Sequence, residues 1–325
     1  MSLKNQSVLV TGGAGFIGSH LVDRLISEEP ENLVVVDNLF LGKDENLTTA
    51  KRDFPNLKIF HTDASNPEEM TEIVKNEGID AVFNLAVIPL PASLEKPVWS
   101  FNQNCTITST LCELARLDYY KTLIHFSSSE VYGTSVSGPM DENHPLNATT
   151  PYAASKAASD LLVLSYIRTF GIKSAIIRPF NNYGPRQNER SYAGIIPLTI
   201  KRIHETHSPI IYGNGKQTRD YLYVTDTADA ALKIYNSQNT RGKVLNIASG
   251  KEISVEYVVG KILEYSGSDL KIVYESARPG DVQRHIANTY LAKDLIGFHP
   301  TINFDDGLKK TVEWYKKKVF SNNRQ

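Results

Sequence analysis

Only two cysteines, Cys105 and Cys112, occur in 325 residues. That is too few for a disulfide framework. Lying seven apart in what reads as one helix, they are expected to be core-facing thiols, which fits a reducing cytoplasm. Neither sign of charge is in excess: 35 Lys and Arg face 36 Asp and Glu, a formal net charge of -1. No basic field for nucleic acid results, and the one basic run, Lys316-Lys317-Lys318, reads as a solvated helix face. No stretch approaches the roughly 18 consecutive apolar residues of a membrane span. The polar Lys4-Asn5-Gln6 leads directly into a strand, so an unexported, cytoplasmic protein without membrane contact is expected. Internal repeats, low-complexity tracts and spacings such as Cys-x-x-Cys or His-Glu-x-x-His are also missing, and no metal is expected. His61, His125 and His285 read as surface or satisfied structural residues. What remains is a chain with 41% hydrophobic residues, long enough for two closely joined lobes.

The first half alternates short β-branched apolar runs with segments of helical period. Strands are expected at Ser7 to Val10, Leu33 to Val36, Lys58 to Phe60, Ala81 to Leu85, Thr122 to Ser127 and Ser174 to Ile177. Helices are expected at Ile17 to Ser27, Pro67 to Glu77, Phe101 to Leu117 and Tyr152 to Thr169. This is the pattern of an α/β, doubly wound parallel sheet, a Rossmann domain whose ligands sit at the carboxyl ends of the strands. After Pro179 the rhythm gives way to a loop-rich region starting at Asn181-Asn182-Tyr183-Gly184-Pro185-Arg186-Gln187. A helix at Thr227 to Tyr235 and a strand at Val244 to Ile247 return to the sheet, and an amphipathic helix at Gly307 to Lys317 closes the second lobe. The expected division is residues 1–178 plus about 224–256 for the sheet domain, and 179–223 with 257–325 for a smaller α/β substrate lobe.

Chemistry concentrates in three places. Thr11-Gly12-Gly13-Ala14-Gly15-Phe16-Ile17-Gly18 joins the first strand to the first helix. Gly12, Gly15 and Gly18 let the backbone approach a pyrophosphate, and the helix N-terminus supplies free amides and a positive dipole end. Asp37 ends the next strand 19 positions after Gly18, where an acid can hold both ribose hydroxyls. A carboxylate there repels a 2′-phosphate, which favours NAD over NADP. Further on, Tyr152-x-x-x-Lys156 places a phenol and an ammonium on one helix face. A tyrosine with its ordinary pKa of about 10 is a poor base at neutral pH, and the adjacent cation stabilises its phenolate. Between these lies Ser128-Ser129-Glu130, a hydroxyl and a carboxylate at a strand end.

Together these motifs resemble the extended short-chain dehydrogenase/reductase family, the NAD-dependent epimerases and dehydratases of nucleotide sugars, over nearly the whole chain. The resemblance implies a role for each matching residue. Phe16 and Ile17 belong to the phosphate turn, Asp63 and Ala64 border the adenine, and Lys156 holds the nicotinamide ribose as well as Tyr152. Ser128 donates to the reacting sugar oxygen while Tyr152 removes its proton. Asn182, Tyr212, Arg219, Arg278 and Asp281 fall where relatives hold the nucleotide diphosphate sugar. A homodimer through the helices near Asn104 to Leu117 and Tyr152 to Thr169 is implied likewise.

Glu130 selects among the family's reactions. An epimerase needs only C4 oxidation and return, whereas 4,6-dehydration needs a base for the C5 proton and an acid for the C6 hydroxyl. Pro151-Tyr152-Ala153-Ala154-Ser155-Lys156 and Asn181-Asn182-Tyr183-Gly184-Pro185 are similar to dehydratase segments. Ser129 departs from the Asp-Glu pair of dTDP-glucose dehydratases, so Glu130 has to serve both needs. The apolar Val87-Ile88-Pro89-Leu90-Pro91-Ala92-Ser93 also departs from them and suits an N-acetyl group. The expected activity is therefore an NAD-dependent nucleotide-sugar 4,6-dehydratase, with a UDP-2-acetamido sugar as candidate substrate. C4 epimerisation and UDP-glucuronate decarboxylation stay open as alternatives. A non-catalytic NAD-binding module is disfavoured by the intact Ser128, Tyr152 and Lys156.

Overall fold

The computed structural model describes residues 2–189, 193–277 and 282–319. In the first 179 residues, strands β1 Ser7–Thr11, β2 Asn32–Val36, β3 Lys58–Phe60, β4 Ala81–Asn84, β5 Thr122–Phe126 and β6 Ser174–Pro179 alternate with helices. These are α1 Phe16–Ile26, α2 Thr48–Asp53, α3 Pro67–Asn76, α4 Leu90–Glu95, α5 Pro97–Arg116 and α6 Pro151–Phe170. Then follow β7 Asn181–Tyr183, α7 Ile195–His204, β8 Ile210–Tyr212, β9 Thr218–Arg219, β10 Tyr221–Tyr223, α8 Val224–Asn236 and β11 Val244–Ile247. The last elements are β12 Ile253–Ser254, α9 Val255–Ser266, β13 Val273–Glu275, α10 Tyr290–Ile296 and α11 Phe304–Trp314.

Seven strands form one parallel sheet in the order β11-β6-β5-β4-β1-β2-β3. The chain builds outward from β1 to β3, then crosses back so that β4 pairs with the other side of β1. That reversal opens a crevice at the carboxyl ends of β1 and β4, the place where such sheets bind ligands. All residues of β1, β4 and β5 are buried, as expected of strands with helices over both faces. On one face Leu21, Val22 and Leu25 of α1 pack with Ala230, Ala231 and Ile234 of α8. On the other, Met70, Ile107, Leu111 and Val163 join α3, α5 and α6. A separate core of Tyr183, Ile196, Tyr221, Val258, Ile262 and Leu308 holds the second lobe.

Several elements differ from the sequence expectation. Helix α5 starts at Pro97 rather than Phe101, because proline suits the first helical turn. Prolines also hid α4 inside the Val87 to Ser93 run. Beyond Pro179, α7 and α9 are regular helices where loops were expected. Residues Ala292, Leu295, Ile296 and Phe298 of the α10 region pack with the sheet-side core, although sequence placed them with the second lobe. Cys112 is buried as expected, but Cys105 is only half-buried. His61 is exposed, whereas His125 and His285 are both fully buried. Among the described residues no helix is long and apolar enough to cross a membrane.

One carboxylate ties the lobes together. Asp220, fully buried between β9 and β10, accepts from Ser249 N at 2.8 Å, Ser249 Oγ at 2.6 Å, Gly250 N at 2.9 Å and Ala287 N at 3.2 Å. Replacing Asp220 with Ala leaves four donors without their acceptor, Ala287 N buried and those of Ser249 and Gly250 only partly so, a buried one costing about 1–3 kcal/mol. Denaturant unfolding of Asp220→Ala should show a stability loss of at least about 3 kcal/mol, with Asp220→Asn losing less.

Candidate active site

The turn from β1 into α1 leaves no room for side chains. A Cβ on Gly12, whose φ is +68°, would lie 2.7 Å from Ala86 N, and one on Gly18 would lie 2.1 Å from Gly12 O. Strand, turn and helix therefore meet backbone to backbone, and the α1 N-terminus faces the cleft with Gly15 at its cap and no acidic residue in its first turn. Gly12, Gly15, Phe16, Ile17 and Gly18 all line this cleft of about 420 Å³, together with Asp37, Asp63, Ala64, Ser128, Tyr152, Lys156 and Asn182.

Asp37 is 7% exposed at the end of β2. Its Oδ2 accepts from Ala14 N at 2.9 Å and its Oδ1 from Leu39 N at 2.8 Å, holding Leu39 at a φ of +59°. Burial pushes its pKa up while those amides pull it down. Each carboxylate oxygen retains acceptor capacity for a ribose hydroxyl. Asp63 caps its own loop through Ser65 N at 2.9 Å and accepts from Asn38 Nδ2 at 3.0 Å. The glycine turn, free helix amides and carboxylate fit an adenine dinucleotide of the NAD type.

Sequence reasoning named Gln187 only as part of the loop that opens the second lobe, and it gave the rest of the cleft's outer rim no role. Phe40, Leu41 and Gly42 follow Asp37, and Gln187 and Asn188 cover the other side. The segment Pro185 to Glu189 is tied down repeatedly. His20 Nε2 donates to Pro185 O at 3.0 Å, Arg186 pairs with Asp23 at 2.7 Å, Lys43 pairs with Glu189 at 2.6 Å, and the Tyr315 hydroxyl donates to Gln187 O. Burial drives the His20 pKa down to about 4, so it serves as a neutral donor.

The chemical groups come from β5 and α6. Ser128 leaves the strand in extended conformation and caps a short helical turn, Ser129–Tyr132, its Oγ accepting from Glu130 N at 3.2 Å. Thr150 caps α6 through Ala153 N, Ser93 Oγ accepts from Tyr152 N at 3.1 Å, and Asn104 Nδ2 donates to Ser155 Oγ at 2.9 Å. These bonds fix the Tyr152 face against α4 and α5. Burial pushes the Tyr152 pKa up to about 12; a hydrogen bond with Ser128 lowers it and the Glu130 carboxylate raises it. Lys156, 4% exposed, donates to Phe126 O at 2.5 Å. Burial lowers its pKa to about 8 against the pull of Asp160, which leaves it largely cationic at neutral pH.

Behind Lys156 stands a buried network absent from the sequence reading. Asp160 Oδ2 accepts from Arg178 Nε at 2.9 Å, and Arg178 Nη1 donates to the Tyr132 hydroxyl at 2.7 Å, which donates to Asn246 Oδ1 at 2.8 Å. His125 accepts from Asn84 Nδ2 at Nδ1, and its Nε2 lies 3.9 Å from Asp160 Oδ1.

A second cavity of about 530 Å³ continues from the first past Ser128, Glu130, Tyr152 and Asn182 to Tyr212 and Arg219. Val87, Pro89, Leu90 and Pro91 form its apolar wall. Arg219 Nη1 donates to Thr218 O at 3.0 Å and Val282 O at 2.6 Å. Asn182 donates to Phe180 O at 2.9 Å and accepts from Thr227 Oγ1 at 2.6 Å. The structure thus brings every described candidate residue to one continuous cavity; Arg278 and Asp281 lie outside the described residues.

Residues 9–311 match the family model described as GDP-mannose 4,6 dehydratase. A putative UDP-glucose 4-epimerase of Methanocaldococcus jannaschii is 36% identical over 319 residues, covering 98% of this chain and 99% of that protein. The UDP-glucose 4-epimerase of Thermotoga maritima, solved with UDP-glucose, superposes with a TM-score of 0.90 at 32% identity, covering 96% of this chain and 99% of the other. The dTDP-glucose 4,6-dehydratase of Streptomyces venezuelae, solved with NAD bound, also gives 0.90, at 30% identity over 96% and 97% of the two chains.

Two outcomes follow from this geometry. Asp37→Ala should weaken NAD binding by about 10- to 100-fold, the worth of a charge-assisted hydrogen bond, and relax rejection of NADP, as read by calorimetric titration of both. Ser128→Ala removes the bond that lowers the Tyr152 pKa. The acid limb of its kcat/KM profile should therefore move to higher pH than in the wild type.

Proposed function

Because this chain belongs to the extended short-chain dehydrogenase/reductase family of NAD-dependent nucleotide-sugar epimerases and dehydratases, we propose that it is a nucleotide-sugar 4,6-dehydratase. The observation that carries this reading is the place of Glu130: its carboxylate shares one cavity with Ser128 and Tyr152 and lies near enough to raise the tyrosine pKa. NAD, the family's cofactor, supplies when bound a hydride acceptor at C4 and later the hydride that C6 receives.

The chain's own residues do the rest. Tyr152 takes the proton of the C4 hydroxyl, with Lys156 stabilising the phenolate and Ser128 donating to the same oxygen. The resulting C4 ketone acidifies C5. Glu130 removes the C5 proton, then protonates the departing C6 hydroxyl, so that one water leaves and the carboxylate is regenerated; as C6 receives its hydride, C5 takes up a solvent proton by way of Glu130, and Tyr152 releases to solvent the proton it took from the C4 hydroxyl. Ser129 provides no second acid, which is why both transfers fall to Glu130. Arg219 and Tyr212 hold the nucleotide diphosphate end, with Asn182 between it and the sugar. The wall of Val87, Pro89, Leu90 and Pro91 suits the methyl of an acetamido group, so a UDP-2-acetamido sugar is the substrate we favour. Exposed Val98 and Phe101 on α5 with Leu161 and Phe170 on α6 form the surface we assign to homodimer contact.

C4 epimerisation is the second reading, favoured by the relatives named as epimerases. Mass spectrometry with UDP-, dTDP- and GDP-sugars in deuterated water separates the two. A product lighter by one water, with deuterium at C5, is expected, and Glu130→Gln should lower its formation by about 10²- to 10⁴-fold, the usual worth of a general acid or base. An unchanged mass with inverted C4, insensitive to Glu130→Gln, would replace the dehydratase reading with the epimerase; carbon dioxide loss from UDP-glucuronate would replace it with a decarboxylase.

A further inference from the structure

His285 takes no part in the chemistry above, yet both its ring nitrogens are committed in the interior. The residue is fully buried, with Nε2 3.1 Å from Ser129 O and Nδ1 3.3 Å from Asn181 Nδ2. A carbonyl only accepts and an amide NH₂ only donates, so these partners assign a single neutral tautomer: Nε2–H donates to Ser129 and Nδ1 accepts from Asn181. The other tautomer breaks both bonds. Phe180 lies against the ring at 5.0 Å between centroids. Burial, with the Arg219 charge, holds the His285 pKa down to about 4, so the same tautomer persists across the neutral range.

The Ser129 carbonyl and the Glu130 amide are the two ends of one peptide unit. His285 holds the carbonyl end, and Ser128 Oγ accepts from the amide end at 3.2 Å. Fixing that plane sets the direction in which the Glu130 side chain leaves the backbone. It also keeps one Ser128 lone pair occupied, which steers the hydroxyl proton towards the cavity. The rest of the turn is anchored in the interior, with Val131 and Tyr132 buried, Val131 N donating to Ser128 O at 3.3 Å and Gly133 N to Glu130 O at 3.1 Å, so the Ser129–Glu130 plane is the part that His285 adds to this frame.

The segment that carries His285 is itself anchored to the nucleotide end of the cavity. Arg219 donates to Val282 O at 2.6 Å, Thr218 N to Gln283 O at 3.0 Å, and Ala287 N to Asp220 Oδ2 at 3.2 Å. On its opposite side Ser135 N donates to Arg284 O at 3.0 Å and Met140 N to Ile286 O at 2.9 Å. The strap therefore lies between the strand that bears Arg219 and the loop that follows Glu130.

We propose that His285 is a positioning residue: it locks the Ser129–Glu130 peptide plane and thereby aims Glu130 and Ser128, referencing both to the strand that holds the nucleotide. The proposal rests on the reading of Ser128 and Glu130 as reacting groups. His285→Phe keeps the ring against Phe180 but removes both hydrogen bonds; His285→Gln restores a donor at the reach of Nε2, and His285→Asn only a group at the reach of Nδ1.

With a sugar nucleotide that the wild type turns over, His285→Phe and His285→Asn should lose about 10- to 100-fold in kcat, the scale of a misplaced reacting group. KM should stay near the wild-type value, and His285→Gln should recover most of the loss. C5 deuterium uptake should fall in step with kcat. Melting curves and NAD titration of each variant report folding separately. A kcat in folded His285→Phe equal to wild type overturns the proposal, as does a loss in all three variants that follows their melting temperatures. Where His285→Phe does not fold, the Gln and Asn pair decides by the same criterion. Nitrogen NMR of ring-labelled wild type gives a readout independent of turnover: Nε2-protonated His285 at neutral pH is required, and the Nδ1-protonated form or imidazolium overturns the assignment. Failure of the dehydratase reading shows itself elsewhere, as normal turnover by Glu130→Gln.

Discussion

The Lys156 side chain is 4% exposed, and a chain of buried polar partners running across the sheet domain offsets the cost of burying its charge. Burial pushes Lys156 towards neutrality, and a neutral amine does nothing for a phenolate. Phe126 O supplies a hydrogen bond and Asp160, one turn along α6, supplies negative charge. Asp160 in turn is fully buried and needs Arg178; Arg178 needs Tyr132 and Asn246. The chain of dependence runs from α6 through β6 to β11, the far edge of the sheet. Removing one partner of such a buried pair costs about 3–5 kcal/mol, because the other charge is left uncompensated. The strands behind the site are thus bound together by the same electrostatics that the site uses.

This dependence also explains what the sequence disclosed. The sheet strands are short apolar runs with burial on both faces, so their period and their glycine turn are visible locally. Gly12, Asp37, Tyr152 and Lys156 were legible for the same reason: each sits at a strand end or on a helix face fixed by neighbours in sequence. Asp160 and Arg178 were not, since their pairing joins α6 to β6 and neither carries a local signal. The second lobe was least legible. Its strands are two or three residues long and pair across large separations, β7 with β10, β8 with β13 and β9 with β12, so no window of sequence contains a whole ladder. His285 was read as a passive residue because its two partners, at Ser129 and Asn181, lie more than a hundred positions away.

Relatives named as epimerases and as dehydratases superpose on this chain equally well. A shared frame that fixes cofactor, tyrosine and lysine leaves the outcome to a few side chains about the sugar. In the function proposed for this chain those are the Ser129-Glu130 pair and the apolar wall from Val87 to Pro91. The turn that bears Glu130 is short, and its first peptide is held at the amide end by Ser128 of the sheet domain and at the carbonyl end by His285 of the second lobe. Chemistry and recognition consequently share one piece of backbone.

The clamp over the cofactor cleft has a consequence of its own. Pro185 to Glu189 is fastened to α1 by His20 and Asp23, to the loop before α2 by Lys43, and to the residue after α11 by Tyr315. If a dinucleotide in the cleft lined by Gln187 and Asn188 leaves past this segment, ties from three separate regions of the chain would have to loosen first. In a reaction that returns its cofactor to the starting state, slow exchange carries no kinetic penalty. Under the proposed reaction the dinucleotide would then behave as a prosthetic group, carried from one sugar to the next, with turnover insulated from the redox poise of the surroundings.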